Sequence, residues 1–190
     1  MATVTNISLS EFESFLDSLP ASPIVEAASD AFSAINGGIA FREPSAPEIY
    51  KAMHDVFENE IVNYWEPGSI NQINLEKLAY SETRKVLSYC SEVFTDDGKN
   101  LVAMMPCSDG PGLYIYAMYV APENRNSGIG TQLMKHALSL SPEGVSLHTH
   151  IKNTGAQRFY HRMGFIDLET QGDELFMGTK QGLGGRNVYA

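Results

Sequence analysis

The sequence contains few cysteines and no long apolar run. Two cysteines, Cys90 and Cys107, occur among 190 residues, and their spacing matches no metal-binding motif. We therefore expect free thiols rather than a disulfide, a metal site or a catalytic nucleophile. No apolar stretch approaches the roughly 20 residues of a membrane-spanning helix, and no signal-peptide pattern is present. These absences predict a soluble, cytoplasmic protein with no membrane partner.

Basic residues are also scarce. The chain has 13 lysines and arginines against 23 aspartates and glutamates, a net charge of −10. Such an acidic balance argues against nucleic acid as a partner. The excess lies in residues 1–110, which carry −11, whereas residues 111–190 carry +1. The second part therefore suits a polyanionic ligand, while the acidic part either attracts a cationic amine or serves solubility alone.

Residues 114–133, YIYAMYVAPENRNSGIGTQL, combine a strand, a turn and a helix start. The apolar run ends at Val120, Pro122 marks the turn, and the helix begins at about Gly128. The first N–H groups of a helix lack intrahelical acceptors and lie at the positive end of its dipole, so they can bind a pyrophosphate. The expected phosphate-binding residues are Arg125, Asn126, Ser127, Gly128, Ile129, Gly130 and Thr131.

Two other glycine motifs are disfavoured by spacing. A dinucleotide fingerprint requires a third glycine where Leu133 stands, and a P-loop requires a lysine where Thr131 stands. The pattern Arg125-x-x-Gly128-x-Gly130 instead resembles the acyl-coenzyme A signature of the GNAT superfamily of N-acetyltransferases. Residues 146–165, SLHTHIKNTGAQRFYHRMGF, resemble the second block of that family, a strand, an Asn, a helix, a Tyr and Gly-Phe.

The resemblance implies an α/β fold with a GNAT-like mixed central sheet flanked by helices. We expect a helical N-terminal extension over residues 1–38, the acetyltransferase domain over 39–180, and a flexible tail over 181–190. The start of the domain resembles the short first strand of that fold. Sequence patterns after it predict two helices, a hairpin, a strand–helix–strand–helix run and a final hairpin. Their predicted bounds are 39–44 for the first strand, helix starts at Ser45 and Asn74, strands 92–94, 101–107, 113–120 and 145–151, helices 128–140 and 153–163, and a last turn at Gly172.

The family also implies roles for individual residues. The strand that carries Met118 and Val120 is expected to splay from the strand 145–151, which frees its amides for pantetheine and the thioester oxygen of acetyl-coenzyme A. Asn153 is expected to contact the coenzyme. Tyr160 is expected to protonate the leaving thiolate, because a phenol with a pKa of about 10 keeps its proton at neutral pH.

The general base is less directly indicated. Some members that acetylate protein N-termini have a glutamate where this sequence has His148, and a neutral imidazole can also accept the proton of an ammonium. His150 lies on the same strand face. Asp109 and Glu66 are alternative bases, and ordered water is another.

The acceptor pocket is expected between the first two helices of the domain. Tyr64, Trp65 and Glu66 are candidates to line it together with Asp109 and His150, although Trp65 also fits a packing role. We therefore predict an acetyl-coenzyme A dependent N-acetyltransferase without a metal, which transfers the acetyl group directly to a primary amine in a ternary complex. A small cationic amine, such as a polyamine or an amine-bearing antibiotic, is the first acceptor class. A peptide or protein amine and a non-catalytic coenzyme A-binding interaction module are the alternatives, and the fold class also allows a homodimer.

Overall fold

The computed structural model describes residues 40–59, 64, 72–96, 98–108 and 111–179, with side chains from Leu75 onward in the second of the long segments. The predicted N-terminal extension and C-terminal tail lie outside these residues. So do Trp65, Glu66 and Asp109. The domain boundaries therefore stay predictions.

Two helices, α1 (Ala46–Asn59) and α2 (Gln72–Tyr89), form the first layer. Glu48 secures the start of α1, because its Oε2 accepts hydrogen bonds from the backbone N–H of Ser45 at 2.7 Å and from the Ser45 hydroxyl at 2.9 Å. One apolar stripe of α1 is buried, at Ile49, Met53 and Phe57. Helix α2 begins two residues before the predicted Asn74.

A six-stranded sheet forms the centre of the domain. Its strands are β1 (Glu92–Thr95), β2 (Leu101–Pro106), β3 (Leu113–Tyr119), β4 (Val145–His150), β5 (Phe165–Gln171) and β6 (Glu174–Thr179). Their order is β1-β2-β3-β4-β6-β5. Only the β3–β4 pair is parallel; the other neighbours are antiparallel.

The predicted first strand, residues 39–44, is wrong over its described part. Only one bridge forms there: the Arg42 N–H donates to the Thr95 carbonyl at 2.9 Å, and the Thr95 N–H donates to the Arg42 carbonyl at 2.8 Å. Pro44 has no N–H to extend the pairing, and α1 begins at Ala46. On the side of Pro44 the pairing therefore ends.

The second helical layer consists of α3 (Ile129–Leu140) and α4 (Thr154–Arg162). Because side chains alternate along a strand, the sheet has two apolar faces. One face packs with α3 and α4, and the core between them includes Val102, Leu133, Met134, Val145 and Leu147. The other face packs with α1 and α2, and the core between them includes Ile49, Met53, Val86, Leu101 and Ala103. The sheet thus lies between two pairs of helices.

An irregularity in β3 opens the middle of the sheet. Met104 pairs with Ile115 and Ala103 with Ala117, which leaves Tyr116 as an extra residue in β3. The β3–β4 ladder covers only residues 113–115 and 145–147, and β4 continues to His150 paired with β6. The expected splay is therefore present.

Among the described residues, no helix has both the length and the apolar character needed to cross a bilayer.

We predict that His136 makes the fold sensitive to acid. Its ring stacks on Phe41 at 5.0 Å and meets the edge of Phe94 at 4.4 Å, and burial lowers its pKa. The unfolded chain, with a histidine pKa of about 6.5, then binds the proton more readily than the folded chain, so stability present above that pH is lost as the pH falls.

Replacing His136→Phe should flatten this loss. The measurement is the free energy of unfolding in urea between pH 5 and 8, with exposed Lys135→Gln on the same helix as control. A His136→Phe curve that parallels the wild-type curve would contradict the prediction.

Candidate active site

The loop between β3 and α3, residues 120–128, leads to exposed backbone amides. It is called the phosphate loop here because the sequence predicts phosphate binding at this place. After β3, a 3-10 turn (Pro122–Asn124) leads to Gly128, whose φ of 94° lies in the left-handed region, and to the start of α3. The first bond of the helix runs from the Gln132 N–H to the Gly128 carbonyl at 3.1 Å. The preceding amides, Ile129 to Thr131, therefore have no intrahelical acceptor.

The start of α3 fits an anion better than the starts of α1 and α4 do. An Asn153 oxygen caps α4 by accepting from the Ala156 N–H at 3.1 Å, and Ser45 with Glu48 closes α1. At α3, within the part of the chain that the structure describes, no side chain makes a cap hydrogen bond. Residues 125–128 are exposed. These amides at the positive end of the helix suit the pyrophosphate of coenzyme A.

Side chains of the loop brace its backbone. The Arg125 Nε donates to the Val120 carbonyl at 3.1 Å. The Ser127 hydroxyl donates to the Asn124 carbonyl at 2.6 Å. Both bonds hold the turn that leads to Gly128. In this structure, these two predicted phosphate-site residues shape the loop.

Gly130 lies where the start of α3 meets side chains of residues 118 and 120 and of α4. A Cβ at Gly130 would lie 3.4 Å from the Val120 side chain and 3.8 Å from those of Met118 and Phe159. The structure thus brings the two predicted pantetheine-binding residues next to the phosphate loop. Sequence reasoning missed Phe159; its only signal was its place before Tyr160 on an amphipathic helix.

Tyr160 lies half-buried on α4. Its ring is 5.5 Å from that of Phe159 and 5.7 Å from that of Phe165, and it packs against the core formed by the sheet with α3 and α4. Asn153 begins the same helix as its cap. The roles of both residues in the reaction stay predictions.

The predicted base and its neighbours lie on the opposite face of the sheet. The His148 Nδ1 is 3.1 Å from the Tyr114 hydroxyl, and its ring is 4.7 Å from that of Phe176. The Tyr64 ring stacks on His150 with centroids 4.7 Å apart. The structure therefore groups three predicted residues, Tyr64, His148 and His150, on one surface.

Two opposing influences act on the pKa of His148. Partial burial lowers the pKa below its ordinary value, whereas the negative charges of Glu174 and Glu169 raise it, and burial has the larger effect. Both glutamates lie on the neighbouring hairpin, where Glu174 pairs with His150 and Glu169 with Phe176. The imidazole is thus kept neutral beside two carboxylates.

A contact between Glu82 and Tyr116 ties α2 to the irregular part of β3. The Tyr116 hydroxyl donates to Glu82, which also pairs with Lys85 at 2.6 Å. Burial, followed by Glu82, raises the pKa of Tyr116 above its ordinary range, so this phenol stays protonated. The two residues are 34 positions apart. No sequence motif indicated the contact, because it depends on the extra residue in β3.

We predict that Gly128 is required for its backbone conformation. An alanine at φ 94° is strained, so Gly128→Ala should lower the free energy of unfolding by about 1 kcal/mol. Gly155→Ala is the matched control in the first turn of α4, where an added Cβ meets nothing nearer than 3.9 Å. It should raise stability by about 0.5 kcal/mol. Urea denaturation measures both values, and a Gly128→Ala protein as stable as wild type would contradict the prediction.

Comparison with known proteins identifies the family to which the domain is similar. The profile of the acetyltransferase (GNAT) family matches residues 50–165. The peptidyl-lysine N-acetyltransferase YjaB of Salmonella typhimurium is 41% identical to the chain over 54 residues, which are 28% of this chain and 37% of that protein. The chain therefore spans little more than a third of the length of this curated relative.

Solved structures share the fold. The protein PH1933 of Pyrococcus horikoshii matches with a TM-score of 0.58 at 17% identity, over 70% of this chain and 90% of that one. The PaiA N-acetyltransferase of Thermoplasma acidophilum, determined in complex with coenzyme A, matches with a TM-score of 0.54 at 15% identity, over 74% and 97% of the two chains. The predicted fold class and family resemblance are confirmed.

Proposed function

Because this chain belongs to the acetyltransferase (GNAT) family, we propose that it transfers an acetyl group from acetyl-coenzyme A to a primary amine. The observation that carries the proposal is the parting of β3 from β4 beside the uncapped start of α3. This arrangement would supply backbone groups for a thioester arm beside amides for a pyrophosphate. The coenzyme A complex of the PaiA structure has the same fold.

The backbone of β3 would hold the reacting carbonyl. After Ile115, β3 no longer pairs with β4, so the amides of Met118 and Val120 are the candidates to bind pantetheine and the carbonyl oxygen. The amides of residues 129–131 would bind the pyrophosphate. Acetyl-coenzyme A supplies the activated thioester, and these residues orient it.

Neither cysteine has the features of an activated nucleophile, which supports direct transfer to the amine over a covalent intermediate. Burial raises the pKa of Cys90 to about 11, which leaves little thiolate at neutral pH. The Sγ of Cys107 lies 3.7 Å from the Ser146 hydroxyl, and among the described residues no hydrogen bond joins it to a histidine that could activate the thiol. In the proposed reaction His148 accepts the proton of the amine, and Tyr160 donates one to the departing thiolate.

The surface around His148 favours a cationic acceptor. Glu169 and Glu174 give it negative charge, and the partly exposed rings of Tyr64 and Tyr114 provide faces on which a cation can bind. A small cationic amine, such as a polyamine or an amine-bearing antibiotic, is the first acceptor class. A peptidyl lysine is the second, supported by the name of the Salmonella relative.

We predict that Tyr160→Phe lowers kcat at least tenfold, about 1.4 kcal/mol of transition-state stabilisation, because the phenol no longer protonates the thiolate. Release of free coenzyme A thiol should be followed with polyamines, aminoglycosides and lysine peptides. Tyr89→Phe, at a 63% exposed tyrosine, is the control and should match wild type.

Two results would contradict this part of the proposal. Full activity of Tyr160→Phe would remove the tyrosine from the reaction. Absence of turnover on every amine, with coenzyme A binding intact by calorimetry, would favour a non-catalytic coenzyme A-binding module.

We predict a second signature in the pH dependence of kcat/KM. If His148 is the base, the wild-type profile should rise with pH through a value below the ordinary histidine pKa of about 6.5, since the lowered pKa keeps the imidazole neutral above it. His148→Gln should lose this acid limb, while the alkaline limb of the amine itself remains in both proteins. His161→Gln, an exposed histidine at the end of α4, is the control. An unchanged acid limb in His148→Gln would favour ordered water, Asp109 or Glu66 instead.

A further inference from the structure

Asn100 is a fully buried polar residue that connects two loops. Its side-chain oxygen accepts from the Ala121 N–H at 2.9 Å and from the Asn124 Nδ2 at 3.3 Å. Its Nδ2 donates to the two carboxylate oxygens of Asp96 at 3.0 and 2.9 Å. The three partners fix the orientation of the amide, because only its oxygen can accept and only its nitrogen can donate.

The position of Asn100 extends the sheet beyond its last backbone pair. The β2–β3 ladder ends where Leu101 pairs with Tyr119. Asn100 comes directly before Leu101, and its side chain bonds to Ala121, two residues beyond Tyr119. A side-chain hydrogen bond therefore replaces the next rung of the ladder.

The same oxygen holds both ends of the 3-10 turn that starts the phosphate loop. Ala121 precedes the turn and Asn124 ends it, and the Asn124 N–H also donates to the Ala121 carbonyl at 2.8 Å. The Asn124 carbonyl in turn accepts a hydrogen bond from the hydroxyl of Ser127, the residue before Gly128. A chain of hydrogen bonds thus connects the buried amide to the start of α3.

We propose that Asn100 is a positioning residue for the pyrophosphate of coenzyme A, an inference that rests on the proposed function. It would not touch the coenzyme; it would fix the turn from which the phosphate-binding amides follow. An asparagine suits the position because one short side chain must accept two N–H groups and donate to a carboxylate. Neither an aspartate nor a leucine can do both.

The test compares two acetyl donors. Acetyl-pantetheine carries the same thioester and pantetheine arm as acetyl-coenzyme A but lacks the pyrophosphate and the nucleotide. Asn100→Ala should raise KM for acetyl-coenzyme A about tenfold with kcat within about twofold, whereas kcat/KM for acetyl-pantetheine should change less than about twofold. Calorimetry should show the same tenfold weakening for coenzyme A binding, with pantetheine unaffected.

Ser141→Ala is a matched control at the other end of α3. Ser141 is also buried, and its hydroxyl bonds a turn carbonyl, that of Gly144, at 2.7 Å. Twelve helical residues separate it from the phosphate loop by about 18 Å. This variant should lose stability without changing the ratio of the two donors.

A second variant keeps the test decisive if Asn100→Ala does not fold. Asn124→Ala removes only the longer of the two bonds to the amide oxygen, so it should raise KM for acetyl-coenzyme A in the same direction by about two- to threefold. Its effect should again be confined to the donor with the pyrophosphate.

Several results would overturn the inference. An equal loss with both donors would make Asn100 a structural residue only, and so would unchanged coenzyme A binding in Asn100→Ala. Wild-type protein that binds no coenzyme A would overturn the proposed function as well. Wild-type protein that binds coenzyme A without turnover would overturn only the catalytic part, since the binding comparison still tests Asn100.

Discussion

The site depends on how few residues of β3 pair with β4. A parallel ladder of three residue pairs ends at Ile115 and Leu147, and β4 then continues alongside β6 alone. Backbone groups that a longer ladder would have used thereby become available to a ligand. The extra residue at Tyr116 adds a local change of direction, and its side chain is held by Glu82 on α2. The contact with Glu82 thus holds the irregular part of β3 against α2.

Local sequence signals accounted for most of the elements. Glycine and proline mark the ends of strands and helices, and these signals act within a few residues, so β3, α3 and β4 match their predicted ranges closely. The strand predicted before Pro44 was wrong because resemblance to the family's first strand gave no information on whether a partner strand had room to pair. The loop before α3 and its Gly128 could be predicted for the same local reason, since a helix start depends on nearby residues only; phosphate binding there stays a prediction.

Contacts between distant segments could not be read from the sequence. The Asn100 amide meets Ala121 across 21 positions, and Glu82 meets Tyr116 across 34. Both depend on the strand register, which one inserted residue shifts. The neighbours of His148 depend on register in the same way, because β5 has its own irregularity between Asp167 and Glu169. Sequence could therefore nominate His148 but not its electrostatic surroundings.

The groups around His148 affect two requirements of the proposed reaction, the binding of a cationic amine and the removal of its proton. An amine acceptor arrives as a cation and must lose a proton before it can attack. In that reaction Glu169 and Glu174 would attract the cation, but the same charges also raise the pKa of His148, which favours its protonated form. Partial burial between the rings of Tyr114 and Phe176 opposes that effect and is the larger influence. The face can then bind an ammonium while the imidazole beside it stays free to accept a proton, which a more exposed histidine among the same carboxylates would do less well.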